Sequence, residues 1–438
     1  MKNEQSAGRG SNVASRRDFL AKSTSAIVAG SVAANLGLTS AVHAAGSDVL
    51  RVGLVGCGGR GTGAARQALS ADPNVKLVAM ADAFSDRLDA SLENLSNSDV
   101  GQKVAVDEDH RFVGFDAYKS VIESCDVVVL ASTPHFRPRH LKAAVDAGKH
   151  VFAEKPVAVD APGVRSVIET SQLAAEKGLS LVSGLCWRYH DLKRETFEQI
   201  HDGTIGDITS LQCSYNSGGV WEPRRTREQC QSEMEYQLRN WYYYTWLSGD
   251  FNVEQHIHSL DKMAWAMKDQ TPLKVSGSGG RQQRTDPKYG NIYDHFNIVY
   301  EYDNGVKAFA RCRHFRGCTN DVSDHIFGTK GRVDVFKHRI YDYSGETLWR
   351  SKAAKNDMYQ TEHDELFASI RSGKPINNGH YMSMSTMMAI AGRMAAYTGK
   401  TLKWDEILNS KEDLSPAKYE WTSLETPSVA IPGVTPFV

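Results

Sequence analysis

Residues 50 to 63 read Leu-Arg-Val-Gly-Leu-Val-Gly-Cys-Gly-Gly-Arg-Gly-Thr-Gly and lead straight into Ala64-Ala65-Arg66-Gln67-Ala68-Leu69. A short apolar strand therefore runs into glycines and then into a helix, an order that few folds accept. Gly56, Gly58 and Gly61 satisfy G-x-G-x-x-G, with Gly59 and Arg60 in the same loop. The first glycine allows the turn, the second lets backbone approach a pyrophosphate, and the third lets the helix pack on the strand. A lone glycine motif is weak, so the residues downstream of it matter. Val75–Met80 reads as the next strand and leads to Asp82, about 20 residues beyond the last glycine, where a ribose-binding acid is expected. A carboxylate there accepts a 2′-hydroxyl and repels a 2′-phosphate, so the expected cofactor is NAD in preference to NADP. Asp126–Leu130 is a continuous apolar run suited to a sheet buried on both faces.

A chain of 438 residues is long enough for two cores. The expected class is α/β: an N-terminal Rossmann dinucleotide-binding domain (46–185) and a C-terminal α+β domain (186–412) with a large, mostly antiparallel open sheet, then an arm (413–438). Lys and Arg number 51 against 52 Asp and Glu, a balance that favours neither nucleic acid nor an anionic membrane as partner. The seven cysteines are odd in number and never form CxxC, which indicates neither a disulfide framework nor a zinc cage.

The first 45 residues read as an address. Ser15-Arg16-Arg17-Asp18-Phe19-Leu20-Ala21-Lys22 is similar to a twin-arginine export signal, followed by an apolar run from Ala26 to Leu38 and a small-residue exit at Val42-His43-Ala44. The expectation is a soluble, periplasmic or otherwise extracytoplasmic protein. Because that route carries folded proteins, the cofactor is expected to be captured before export and tightly held.

Beyond the third strand come Ala131-Ser132-Thr133-Pro134, a helix carrying His140, and Ala147-Gly148-Lys149-His150-Val151-Phe152-Ala153-Glu154-Lys155-Pro156. This stretch resembles the Gfo/Idh/MocA family of oxidoreductases, and the resemblance runs from about Arg51 to Trp404. It implies that Lys155 lies beside the nicotinamide and the substrate, with its proline peptide cis. An ammonium there stabilises negative charge developing on a hydroxyl as hydride leaves. The resemblance also implies Thr133, Pro134, His140, Glu154, Trp187 and Arg188 at the cofactor and Tyr189 at the substrate, the last three ending an expected strand over Leu181–Tyr189.

Between Asp250 and Met267, Val253, Ile257, Leu260, Ala264 and Met267 recur at helical spacing, leaving Glu254, His258 and Asp261 on an adjacent stripe. An imidazole titrates near neutrality and can take a hydroxyl proton, so His258 is the candidate base. The family places Asp-x-x-x-His here followed by an acid, and Glu254 stands for the Asp. Whether Glu254 steadies His258 or grips a sugar hydroxyl stays open, and Asp261 is carried to the substrate. His256 and His258 are two apart and do not face each other on a helix, so no metal site is expected. Trp241-Tyr242-Tyr243-Tyr244-Thr245-Trp246 suits either sugar rings, with Trp241 and Tyr244 as contacts, or core packing.

Asp294–Tyr302 and Val306–Phe315 alternate about Asn304-Gly305, a hairpin signal, and Ile208–Tyr215 and Leu273–Gly277 supply further strands. Glu362–Arg371 and Tyr381–Tyr397 read as closing helices. An open sheet needs a cover, and the resemblance points to a homodimer or homotetramer through it. The leading functional expectation is an NAD(P)-dependent oxidoreductase exchanging hydride with a carbohydrate-like hydroxyl. The alternatives are a glycosidase working by transient ring oxidation, elimination and re-reduction, and a non-catalytic sugar or dinucleotide sensor.

Overall fold

The computed structural model describes residues 49–438; the twin-arginine stretch and its exit lie outside them. The first layer is a six-stranded sheet of β1 (Leu50–Val55), β2 (Val75–Asp82), β3 (Arg111–Val113), β4 (Val127–Leu130), β5 (His150–Ala153) and β6 (Leu181–Ser183). Its order is β3-β2-β1-β4-β5-β6 and every pair is parallel. That is the strand order of a doubly wound dinucleotide fold, whose ligands bind outside the carboxyl ends of the strands where the order reverses, here between β1 and β4. All four residues of β4 are buried, as a strand covered on both faces requires.

The second sheet has nine strands: β7 (Ile208–Ser217), β8 (Lys274–Gly280), β9 (His295–Glu301), β10 (Lys307–His314), β11 (Asp321–Gly328), β12 (Arg332–Asp334), β13 (Arg339–Tyr341), β14 (Thr347–Arg350) and β15 (Leu402–Lys403). Its order is β14-β13-β12-β11-β7-β10-β9-β8-β15. Only β7 and β10 pair in parallel. Gly305 turns the β9–β10 hairpin with φ 82°, as the Asn-Gly signal requires. The helices Ile257–Ala266 and Gly379–Thr398 cover one face, while the alternation along β10 leaves Phe309 exposed on the other. The helix Gly379–Thr398 is buried along almost its whole length, which is why its sequence is apolar and small all round rather than striped. None of the described helices is long and apolar enough to cross a membrane.

Two expected elements differ. The strand over Leu181–Tyr189 ends at Ser183, and Cys186–Tyr189 is a 3-10 turn. The helix over Asp250–Met267 is broken into Phe251–Glu254 and Ile257–Ala266. The cause of the break is visible in the hydrogen bonds. The Glu254 carbonyl, which a regular helix would offer to the His258 N–H, accepts from Lys155 Nζ at 2.5 Å. The His258 N–H turns to the Gln255 carbonyl, and the His256 N–H reaches five residues back to Phe251. Strands β12 to β14 had no clear signal in the sequence because each is only three or four residues long.

Candidate active site

A cleft of about 480 Å³ opens at the carboxyl ends of β1, β2 and β4, within the size range of small-molecule sites. Its floor is the glycine loop. Gly56 has φ +97°, and a Cβ on it would lie 2.4 Å from the Ser132 nitrogen. A Cβ on Gly61 would lie 1.9 Å from the Gly56 carbonyl oxygen, so the helix Gly59–Ala71 packs on the loop only as glycine. Gly58 and Gly59 instead face open space. The helix they begin has no side-chain cap and no acidic residue in its first turn. Uncapped amides at a helix start, in a cradle that a Cβ would fill, fit the pyrophosphate of a dinucleotide.

Asp82 lines the same cleft. Its carboxylate accepts the Cys57 N–H at 2.7 Å and the Phe84 N–H at 3.0 Å, which ties the end of β2 to the glycine loop. Burial raises its pKa from the ordinary value, while those two amides and Arg87 oppose the rise. Thr133 and His140 line the next wall. The His140 ring stacks on Tyr118 at 4.1 Å and Nδ1 lies 3.1 Å from the Ser132 hydroxyl. Burial pushes its pKa down to about 3, so the ring is neutral. Thr133 Oγ1 and His140 Nε2 are buried without a protein partner.

At the other end Lys155, Glu254 and His258 come together on the cleft wall. The Lys155–Pro156 peptide is cis. Lys155 Nζ lies 2.9 Å from Glu254 Oε1 and also donates to the Glu254 carbonyl, with both side chains only 12–14% exposed. The glutamate's longer reach is therefore spent on the lysine, and neither of the two roles left open for it is the one it takes in this arrangement. Burial first, and then the cations Lys155, Lys262 and Arg60, hold His258 well below its ordinary pKa. Its Nδ1 is buried without a protein partner. Glu154 lines the cleft as well, gripped by Arg60, which also donates to Glu362 at 2.8 Å. The glycine loop and the turn that carries Lys155 are thus held by one guanidinium.

Six sequence-predicted site residues lie elsewhere. Pro134 is buried beneath Thr133 at the start of a 3-10 turn. Because β6 stops at Ser183, the chain turns away from the cleft after Gly184, which still lines it, and carries the next residues into the second domain. Trp187 packs between the ammonium groups of Lys193 and Lys262 and the ring of Phe336. Arg188 pairs with Asp261 at 2.9 Å and Asp269 at 2.5 Å, so Asp261 is a buried counter-ion rather than a sugar ligand. The Tyr189 hydroxyl donates to Asn378 at 2.7 Å in the core. The aromatic run splits: Trp241 lines the cleft, whereas Tyr244 is fully buried. His256 points into the core, to Asn252 at 3.1 Å and the Cys213 thiol, away from His258.

Other residues reach the cleft without having been singled out for it. Arg137 is fully buried and donates to the carbonyls of Pro156 and Ser132, bracing the Lys155 turn, while burial lowers its pKa to about 10. Phe84, Arg87 and Phe115 stand at the ends of β2 and β3, and Tyr359 arrives from the helix Met358–Ser372. For Phe84 and Arg87 the signal was nearness to Asp82; for Tyr359 there was none, since only tertiary folding brings it there.

Residues 50–185 match the GFO_IDH_MocA oxidoreductase family, described as an NAD-binding Rossmann fold, and residues 194–334 match the GFO/IDH/MocA C-terminal domain. Among curated relatives, a dTDP-3,4-didehydro-2,6-dideoxy-alpha-D-glucose 3-reductase of Actinomadura kijaniata is 28% identical over 39% of this chain and 47% of its own length. The myo-inositol 2-dehydrogenase of Thermotoga maritima is 21% identical over 82% of this chain and 100% of its own length. The solved aldose-aldose oxidoreductase of Caulobacter crescentus, complexed with glycerol, superposes with a TM-score of 0.62 at 19% identity, covering 81% of this chain and 99% of that one. At that identity the last likeness is one of fold alone. With both sheets, the glycine loop and the two matched segments in agreement, the chain belongs to the Gfo/Idh/MocA family of NAD(P)-dependent oxidoreductases.

Proposed function

We propose that this protein exchanges hydride between NAD and a hydroxyl-bearing carbon of a sugar, polyol or glycoside, with Lys155 and His258 at the reacting centre. One observation carries the reading: Lys155, Glu254 and His258, from distant parts of the chain, share a cleft with the glycine loop and Asp82. The inositol dehydrogenase and aldose oxidoreductase among its relatives have polyhydroxylated substrates by name, and Trp241 offers a ring face of the kind that sugar C–H faces pack on.

A bound nicotinamide supplies the acceptor for the electron pair of the breaking C–H bond. Glu254 aims the Lys155 ammonium, which stabilises charge on the substrate oxygen as the carbonyl forms. His258, kept neutral by burial and neighbouring cations, takes the O–H proton. Its depressed pKa makes it quick to give that proton back when the reaction runs in reverse.

The same reading extends to tight retention of NAD, to export by the twin-arginine route, and to a homo-oligomer that covers Phe309 on the open sheet face. Light scattering tests the last, and a monomer refutes it. The central test is a panel of sugars and aryl glycosides, following NADH and released aglycone together. Lys155→Met should fold, bind NADH and lose turnover by about a hundredfold or more. Turnover surviving in that variant refutes the assignment, and aglycone released without net NADH reassigns the outcome to redox-recycling hydrolysis.

A further inference from the structure

Residues 411–438 contain no helix or strand, yet they are tied down from end to end. The Lys411 N–H donates to the Val438 carbonyl, which closes the segment on itself. On the nucleotide half, the Leu414 N–H donates to Asp160 at 3.1 Å, and the Tyr419 hydroxyl lies 2.8 Å from His135 Nε2. On the other half, the Thr422 carbonyl accepts from Met234 N–H, Gln237 donates to Thr426 at 3.0 Å, and the Tyr293 hydroxyl donates to the Ala430 carbonyl at 2.9 Å. The arm therefore spans both domains.

It crosses beside the cleft. The Trp421 ring lies 4.7 Å from Phe115 and 5.4 Å from Phe84, and the Tyr419 ring lies 5.6 Å from Phe136. All three phenylalanines line the cleft. Phe84 follows Asp82 by two residues and Phe115 follows the end of β3, so these rings wall the end of the cleft where a ribose acid stands. Arg239 lies over Phe84 at 3.9 Å, so that ring has cover from the second domain too. Trp421 itself stays 44% exposed. A ring placed only to fill the core would be buried, whereas this one spends its inner face on two cleft-wall rings.

We propose that the arm is a strap behind the wall at the adenosine end of the cleft that sets how slowly a bound dinucleotide leaves, with Trp421 as the positioning residue that holds Phe84 and Phe115 in place. This rests on the reading that the cleft holds a dinucleotide. Loosening a wall acts chiefly on escape, because changes at one binding surface fall mostly on the dissociation rate. Removing both ring–ring interactions together amounts to about a tenfold effect.

The test loads the full mature chain with NADH and measures its dissociation rate by displacement with excess NAD. The thermal midpoint of the dinucleotide-free protein is measured alongside. Trp421→Ala should release NADH about tenfold faster while still unfolding cooperatively without the dinucleotide, and Trp421→Phe should stay near the parent rate. Should Trp421→Ala not fold, Trp421→Leu keeps the apolar bulk without the ring face and is read by the same criterion. A parent rate in the Ala or Leu variant overturns the strap and leaves the dinucleotide reading standing. A parent protein that binds no dinucleotide at all overturns that underlying reading, and the strap with it.

Discussion

Asp82→Ala probes how the cleft chooses between the two nicotinamide dinucleotides, and it needs no knowledge of the substrate. In the folded protein the carboxylate accepts two backbone amides, from Cys57 at 2.7 Å and Phe84 at 3.0 Å, and lines the cleft beside the loop. Truncation has two separable effects. It frees two N–H groups that the carboxylate now satisfies, costing about 1–3 kcal/mol each if they stay dry and less where cleft water reaches them. The resulting loosening of the loop weakens both dinucleotides alike, because both rest their pyrophosphate on the same amides. It also removes what we propose is the acceptor for a ribose 2′-hydroxyl, a charge-assisted hydrogen bond of about 1.5–3 kcal/mol, and the source of repulsion for a 2′-phosphate. Only this second effect distinguishes NADH from NADPH. The ratio of their dissociation constants, measured by fluorescence titration of parent and variant, should therefore move toward NADPH by about tenfold or more, since each 1.4 kcal/mol is tenfold. A ratio within about twofold of the parent's, whatever happens to each affinity alone, refutes the role given to Asp82.

Two further outcomes follow from the geometry of the second domain. Glu254→Gln replaces a charge-assisted bond to Lys155 with a neutral one and should lower kcat/KM by about five- to tenfold; in a Lys155→Met background it should have no further effect, and additive losses in that double-mutant cycle would show that the two residues act apart. Asp250, fully buried and held by the amides of Phe251 and Tyr293 and the hydroxyl of Tyr397, has a pKa raised from 3.8 to about 7 by burial. The folded state therefore binds this proton more tightly than the unfolded chain, and stability is lost as pH rises from about 4 through about 7. Between pH 5 and 8 the loss from this group is about 2–3 kcal/mol. Thermal midpoints of the parent should fall over that interval relative to Asp250→Asn, and parallel profiles would contradict the assignment.

Much of the nucleotide half was legible because its signals are local. Gly61 is required by its contact with Gly56 inside the strand-turn-helix unit that contains both, and Asp82 stands at a spacing set by one such unit. The EKP turn was equally readable, since its motif and its cis peptide coincide. Reading failed where an element's end depended on its surroundings. Leu181–Tyr189 looks like one strand, but the chain leaves the sheet after Ser183 and folds into a 3-10 turn, which sends Trp187, Arg188 and Tyr189 to the second domain. Likewise the apolar spacing over Asp250–Met267 reads as one helix, and the break in it depends on a carbonyl being claimed by a lysine ninety-nine residues away.

From the order of its residues alone, this chain determined the strands β1, β2 and β4, the β9–β10 hairpin, the position of its phosphate-binding turn and the identities of Lys155, Glu254 and His258, because repeat period, turn chemistry and short motifs are properties of neighbours. Tertiary structure decided which of those side chains meet: that Glu254 holds Lys155 rather than His258, that Asp261 serves Arg188 in the core, and that an arm from the far end of the chain reaches the rings beside Asp82. Such pairings are competitions among partners brought together only by folding, so burial and distance select the winner, and neither quantity is written in the local sequence.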